Sequence, residues 1–221
     1  MRADCYVEAA TWLAGQKMSV RPLVETAEPL LGEFLAHSES GVLAENLVVV
    51  DSCYGALDCR SVFLSARAPR EELVAAFGRC RYLAGDAEAL KSIDELVGPR
   101  LERGYLENVA LRVRTELSPE GVEGFCGQNS EELAGTLRKA RNLAVRSVFL
   151  PLDSTGDLCA QVRDAFSLAK KLRSDLPCML HSFCLEGVLE PLAKGDADLL
   201  NTVRMIASLN DTSLYAQFFV A

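Results

Sequence analysis

The chain lacks the features that would tie it to several large ligand classes. Acids outnumber bases by 31 to 23 and the net charge is −8, so the basic surface that sequence-independent nucleic-acid binding needs is missing. No apolar run approaches the roughly 20 residues that span a bilayer. The N-terminus, MRADCYVEAATWLAGQ, carries acids within its first eight residues and no apolar signal core. A cytoplasmic protein that binds neither nucleic acid nor membrane is the expectation. Eight cysteines are present but no CxxC pair, which excludes the zinc-ribbon and thioredoxin patterns. A chain without a signal peptide does not need disulfides, so mostly reduced, buried thiols are expected. There is no GxGxxG turn, the common sign of a dinucleotide-binding open sheet. Internal repeats, low-complexity tracts and linkers are also absent, and one domain over residues 1–221 is the economical reading.

What the sequence does contain is alternation. Apolar residues make up 49% of its 221 positions, enough for a sizeable core. Helical spacing of apolar residues marks 3–15, 30–37, 71–79 behind Pro69, 87–97 behind Asp86, a stretch capped by Ser130, 157–173 and 197–208. Between them lie short β-rich runs at 19–25, 47–51, 61–66, 81–85, 108–114, 146–152, 177–183 and 213–220. Eight strands, most of them separated by a helix, imply right-handed βαβ units and a parallel sheet. In a chain of this length they imply a compact (β/α)8 TIM-type barrel, with 47–51, 61–66, 108–114 and 146–152 as consecutive or near-neighbour strands. A doubly wound open sheet is the structural alternative.

Barrels of this kind carry their chemistry at the C-terminal ends of the strands. That rule selects Glu25, Asp51, Arg67, Asp86, Arg114, Asp153 and His181, with Gln217 on the last strand. Asp51 and Asp86 can equally cap helices, and Arg67 can lie on a solvated loop. The run LPCMLHSFC, 176–184, places Cys178, His181 and Cys184 at three-residue spacing. On a strand, Cys178 and Cys184 face one way and His181 the other, so no common metal is expected. His181 then stands either as a hydrogen-bonded structural residue or as a functional one at a strand end.

Several stretches resemble one family, the fold type III pyridoxal-phosphate barrels of alanine racemase and of ornithine and diaminopimelate decarboxylase. VRPLVETAEP (20–29) resembles the family's first strand and its exit toward a proline. SVFLSARAPREELVAAF (61–77) resembles a strand, small-residue loop and helix of the decarboxylases. LRVRTELSPEGVEGFCGQNSEEL (111–133) resembles the arginine-bearing strand with its following loop, and VRSVFLPLD (145–153) the next strand. The resemblance implies a parallel barrel after a leading helix, with a cofactor held by a lysine at the end of the first strand. The matching position here is Glu25. Lys17 precedes that strand, and Lys91, Lys139, Lys170, Lys171 and Lys194 lie in helical stretches. The histidine expected after 146–152 is replaced by Leu150-Pro151-Leu152-Asp153, and SLNDTSLY (208–215) offers no glycine cradle for a phosphate.

The resulting expectation is a degenerate barrel of this family that has lost the lysine link and binds a small ligand or a protein partner, with no cofactor and with the homodimer of family members as one option. The alternative is an amino-acid racemase- or decarboxylase-like enzyme. It would use pyridoxal phosphate through a lysine placed elsewhere, or work without cofactor, with Glu25, Asp153 and His181 as acid–base groups and Arg114 holding an anionic substrate group. A mouth plugged by apolar side chains would favour binding, and a polar, wet mouth would favour chemistry.

Overall fold

The computed structural model describes residues 3–38, 40–54, 62–80, 82–85, 87–97, 106–114, 118–119, 125–126, 135, 142–175 and 179–221. Its strands are β1 (Val20–Thr26), β2 (Gly41–Ala44), β3 (Val62–Ser65), β4 (Tyr82–Gly85), β5 (Glu107–Arg114), β6 (Phe125–Cys126), β7 (Leu143–Pro151), β8 (Ser182–Glu186) and β9 (Gln217–Val220). Eight of them close into an all-parallel barrel in the order β1-β2-β3-β4-β5-β7-β8-β9, with β9 pairing back onto β1. The two-residue β6 adds to the C-terminal end of β5 outside the ring. The described helices are α1 (Ala3–Gly15), α2 (Pro29–His37), α3 (Leu47–Cys53), α4 (Arg70–Ala76), α5 (Ala87–Val97), α6 (Leu158–Asp175), α7 (Leu189–Ala193) and α8 (Ala197–Ser213).

Strand alternation sorts the buried side chains into two sets. One set, including Val24, Val42, Leu64, Leu83, Leu111, Val148, Leu185 and Phe218, packs with the helices. The helices answer with stripes at helical spacing, such as Leu158, Val162, Ala165, Ala169 and Leu172 on α6. The other set is Leu23, Leu43, Phe63, Tyr82, Ala84, Ala110, Phe149, Cys184 and Phe219, and it fills the barrel. Phe63 is the hub of this plug, with ring centroids 5.0 Å from Tyr82, 5.3 Å from Phe149 and 5.7 Å from Phe219. Such tilted and edge-on contacts suit the quadrupoles of the rings. Nearer the N-terminal end of the barrel, the buried Ser182 hydroxyl donates to Ser147 Oγ at 2.8 Å, so two strands satisfy each other's polar side chains.

The barrel read from the alternating pattern is the observed fold, with one strand misassigned. Residues 47–51 form α3, not a strand. Leu-Val-Val-Val is β-rich by propensity, but Asn46 overrides it: its extended backbone stops β2, and its side-chain oxygen accepts the Val49 N–H at 3.0 Å. Glu72 accepts the Leu47 N–H at 2.7 Å and meets a second free donor of that helix start. The strand is instead Gly41–Ala44, and β3 accordingly pairs with β2 and β4. The run 177–183 also shifts: β8 begins at Ser182, so His181 precedes the strand. Likewise α8 extends to Ser213 and β9 starts only at Gln217.

Candidate functional site

The polar mouth of the barrel is one pleat above the plug. Glu25 follows Leu23 by two residues on β1, Ser65 follows Phe63 on β3, Arg112 follows Ala110 on β5, and Glu186 follows Cys184 on β8. Each therefore faces the barrel axis just beyond a plug residue, toward the C-terminal strand ends where barrel sites are built. A small cavity of about 70 Å³, opening to solvent, is lined by Glu25, Leu43, Ser65, Arg67, Gly85 and Arg112, with Phe149 at its base. Gly85 ends β4, and a Cβ there would stand 2.8 Å from the Cβ atoms of both Ala66 and Ala89. Only glycine leaves that wall in place.

Electrostatics organise the mouth. Arg112 Nη2 donates to Glu186 Oε1 at 2.5 Å, with the two side chains 29% and 18% exposed. Glu25 keeps much of its surface toward solvent, yet its carboxyl is pushed above the usual carboxylate range. Loss of hydration is the main cause, followed by the neighbouring Glu45; Arg112 and Arg67 pull it back and Glu186 pushes it further up. The guanidinium of Arg112 is held charged by Glu186 and Glu25 against the cost of its burial. Its Nε is nevertheless buried without a hydrogen-bond partner. A buried donor left unmade is costly, and here it belongs to a side chain that lines the cavity. Beneath it, the fully buried Cys184 thiol is pushed well above its ordinary value by burial, so it fills space and offers no thiolate.

The residues singled out from sequence fall in several places. Glu25 and Arg67 are at the mouth. Arg114 ends β5 one pleat beyond Arg112, exposed and outside the cavity lining. Asp153 follows β7, and its carboxylate is occupied by its own turn: the Thr155 N–H and hydroxyl donate to it at 2.9 and 2.7 Å, which lowers its pKa. His181 lies at the opposite end of the barrel, before β8, where its N–H donates to the Arg146 carbonyl at 2.6 Å and its carbonyl accepts from Gln217 at 2.8 Å. Gln217 starts β9 and shares that end. Asp51 is on α3 and pairs with Arg79. Asp86, Ser130 and Cys178 lie outside the described residues, so the spacing of Cys178 with His181 and Cys184 is not read from this structure.

Arg112 and Glu186 were missed. Arg112 was legible as the inward neighbour of Arg114 at the i−2 position, on the same face of one strand. Glu186 was hidden by the early start assigned to its strand, which ended that strand at Phe183. The mouth combines both features by which binding and chemistry were to be told apart: charged residues stand over a sealed aromatic base.

No protein-family model and no curated protein matches this sequence. Solved structures do. Diaminopimelate decarboxylase from Helicobacter pylori, complexed with L-lysine, superposes with a TM-score of 0.67 at 16% identity, covering 99% of this chain and 61% of that one. The arginine decarboxylase of Paramecium bursaria Chlorella virus, bound to agmatine, gives 0.69 at 8%, covering 99% and 62%. Lysine decarboxylase from Selenomonas ruminantium gives 0.69 at 15%, covering 99% and 58%. The chain thus spans about three-fifths of the length of the structures it resembles, and at these identities the likeness is one of fold. It is the fold anticipated from the motif resemblance, an eight-stranded parallel barrel of the pyridoxal-phosphate decarboxylases. One expectation is corrected. The sequence was read as taking no cofactor, whereas these neighbours are decarboxylases of a cofactor-dependent class, and a related structure, an SrLDC mutant, was solved in complex with PLP. These neighbours count against that expected absence. The donors at this mouth suit part of such a group: Arg112 brings an unpaired buried N–H, Arg67 a second cation, and Glu186 an acceptor for a protonated ring nitrogen. Among the described residues, no lysine lines the cavity.

Proposed function

We propose that the chain is a ligand-binding barrel of the pyridoxal-phosphate decarboxylase type, whose mouth takes pyridoxal phosphate reversibly and without a covalent link to the protein. The observation that carries this reading is Glu25. A carboxylate stands at the end of β1, facing Arg112, where the family resemblance puts the lysine. A carboxylate cannot make the link that an amine makes, and pairing with the cofactor is left to ionic and hydrogen-bonding groups. Arg112 and Arg67 would hold its anionic oxygens, with Glu25 beside that anionic end and Glu186 facing its ring nitrogen. The cofactor, when bound, supplies an electron-withdrawing ring. The enclosed space is small, so a ligand of this size would reach in with one edge and lie otherwise across the open mouth.

A second reading is kept because of one further observation. The raised carboxyl of Glu25 next to a charged arginine is the arrangement of an acid–base group tuned toward neutrality. On that reading Glu25 exchanges a proton with a bound substrate whose anionic group Arg112 holds.

The test is a titration of the purified chain with pyridoxal phosphate, followed by absorbance and then by borohydride reduction with peptide mass mapping. Saturable binding, weakened about tenfold or more by Arg112→Met, with no single lysine modified in stoichiometric yield, is the expected outcome. A stoichiometric lysine adduct overturns the non-covalent reading. The absence of saturable binding overturns the ligand assignment and leaves the acid–base reading to be tested with amino acids as substrates.

A further inference from the structure

Between Arg21 and Arg60 the sequence holds seven acids, Glu25, Glu28, Glu33, Glu39, Glu45, Asp51 and Asp58, and not one lysine or arginine. The same stretch builds α2 and α3, and these two helices pack on each other. Ser52 Oγ donates to the Pro29 carbonyl at 2.9 Å, and a Cβ on Gly32 would meet Val49 Cγ1 at 2.7 Å and Cys53 Sγ at 3.2 Å. Their contact is therefore close and fixed. Their outer surfaces are not what a solvated helix pair carries. Leu30 is 81% exposed and Phe34, one turn on, is 55% exposed; Val48 on α3 is 61% and Tyr54, the residue that caps α3, 59% exposed. A scattered exposed leucine needs no explanation. Four large apolar side chains on two adjoining short helices do, because exposed apolar area of this kind marks interaction sites.

We propose that the outer surface of α2 and α3 is a protein-docking face, and that its partner is a segment with apolar anchors set among lysines and arginines. Charge decides the occupant. Glu28 and Glu33 are exposed beside Leu30 and Phe34, and among the described residues Arg79 of the α4–β4 turn, near α3, is already engaged by Asp51. A second copy of this chain brings the same acids to the same place, and like charges across an interface are repulsive. A membrane surface is anionic, as is nucleic acid, and both are repelled for the same reason. A basic amphipathic helix is matched on both counts: its apolar stripe covers Leu30 and Phe34, and its cations meet Glu28 and Glu33. The face is built on the barrel wall, apart from the cation-bearing mouth residues Arg67 and Arg112, and the proposal stands whether or not the mouth binds pyridoxal phosphate.

The experiment uses the full chain and two synthetic helical peptides with the same leucine stripe, one with lysine and one with glutamate at all other positions. Affinity is measured by calorimetry in low and in high salt, and the contact surface is mapped by amide chemical shifts. The lysine peptide is expected to bind and the glutamate peptide not. Binding should weaken about tenfold with Phe34→Ser, again with Leu30→Ser, and should fall with salt. Both positions are exposed, so the variants keep the fold, which circular dichroism checks. Equal binding of the two peptides overturns the proposal. So does an affinity for the lysine peptide that neither variant changes, since it would then be held elsewhere by net charge. A dimer in sedimentation that Phe34→Ser dissolves would give the face to a second copy and likewise overturn it.

Discussion

The two ends of the barrel treat their carboxylates differently. At the mouth, Glu186 is bonded to Arg112, and Glu25 lies within the field of Arg112 and Arg67 with solvent at hand. At the other end Glu107, the first residue of β5, is 1% exposed and one of its oxygens has no hydrogen-bond partner. Its carboxyl is pushed up to about 7 by burial, against the pull of the Gly78 and Asn108 N–H groups. The nearby Cys80 thiol is pushed up to about 12, by its own burial first and by Glu107 second. Charge at the mouth is balanced by opposite charge and can be lent to a ligand. Charge on Glu107 is balanced by little, and that residue responds to pH instead. The aromatic plug floors the mouth, whereas Glu107 lies with Val109 and Leu111 on the helix-facing side of β5.

The largest way to break this comparison is to open the plug. Phe63 is fully buried and touches three other rings. Phe63→Ala is expected to cost about 3–5 kcal/mol, the lost burial of a phenyl ring plus the cavity it leaves. Urea unfolding gives the number. A loss under about 1 kcal/mol would mean that the rings do not hold the barrel together.

Glu107→Gln sharpens the contrast next. A carboxyl at about 7 in the folded chain and near 4.5 when unfolded keeps its proton in the folded state across that interval. Stability is then greatest below about pH 4.5 from this group, falls as pH rises through 4.5 to 7, and stays reduced above. The full difference is about 3 kcal/mol. The amide removes the titration, so the variant's stability should be flat over this window apart from other groups, and should exceed that of the parent at pH 8. Thermal unfolding at pH 5 and pH 8 for both proteins checks it. Parallel pH curves would show that Glu107 does not carry the effect.

How much of this could be read beforehand follows the same divide between pattern and partner. The period of apolar residues reports which side of a strand or helix is buried, and it located β1, β3, β4, β5 and β7 to within a few residues. It failed at 47–51, because four apolar residues in a row have no period and the deciding group was one side chain, Asn46, bonding to a backbone N–H. It failed again at β8, where Pro177 and a β-rich run pulled the start forward and moved His181 from one end of the barrel to the other. Glu25 was found because a strand end can be located by counting. Arg112 was missed although it is on the strand correctly assigned, since choosing between 112 and 114 requires the height of the plug. The Arg112–Glu186 pair joins residues 74 apart, and no local pattern encodes such a contact.

The smallest expected effect belongs to Glu25→Gln, and it bears most directly on the mouth. The side chain is largely solvent-facing, so removing its charge should change stability by no more than about 0.5 kcal/mol. Ligand affinity should respond more. When ionised, Glu25 opposes an anionic ligand that approaches Arg112; when protonated, it does not. Its carboxyl is raised above 4.5, so the opposition is complete at high pH and disappears as pH falls through the raised value. Pyridoxal phosphate titrates over the same range, so the informative quantity is the ratio of affinities of variant and parent at each pH, from which the ligand's own protons cancel. That ratio should be several-fold at pH 8, in keeping with about 1 kcal/mol between charges about 4 Å apart and screened by water at an open mouth. It should approach one in acid, where Glu25 and its amide replacement are both neutral. A ratio that stays near one at every pH would show that the ligand does not sense Glu25. A ratio below one at pH 8 would mean that the carboxylate attracts the ligand, through the ring nitrogen in place of the anionic oxygens, and would turn the ligand's orientation at the mouth around.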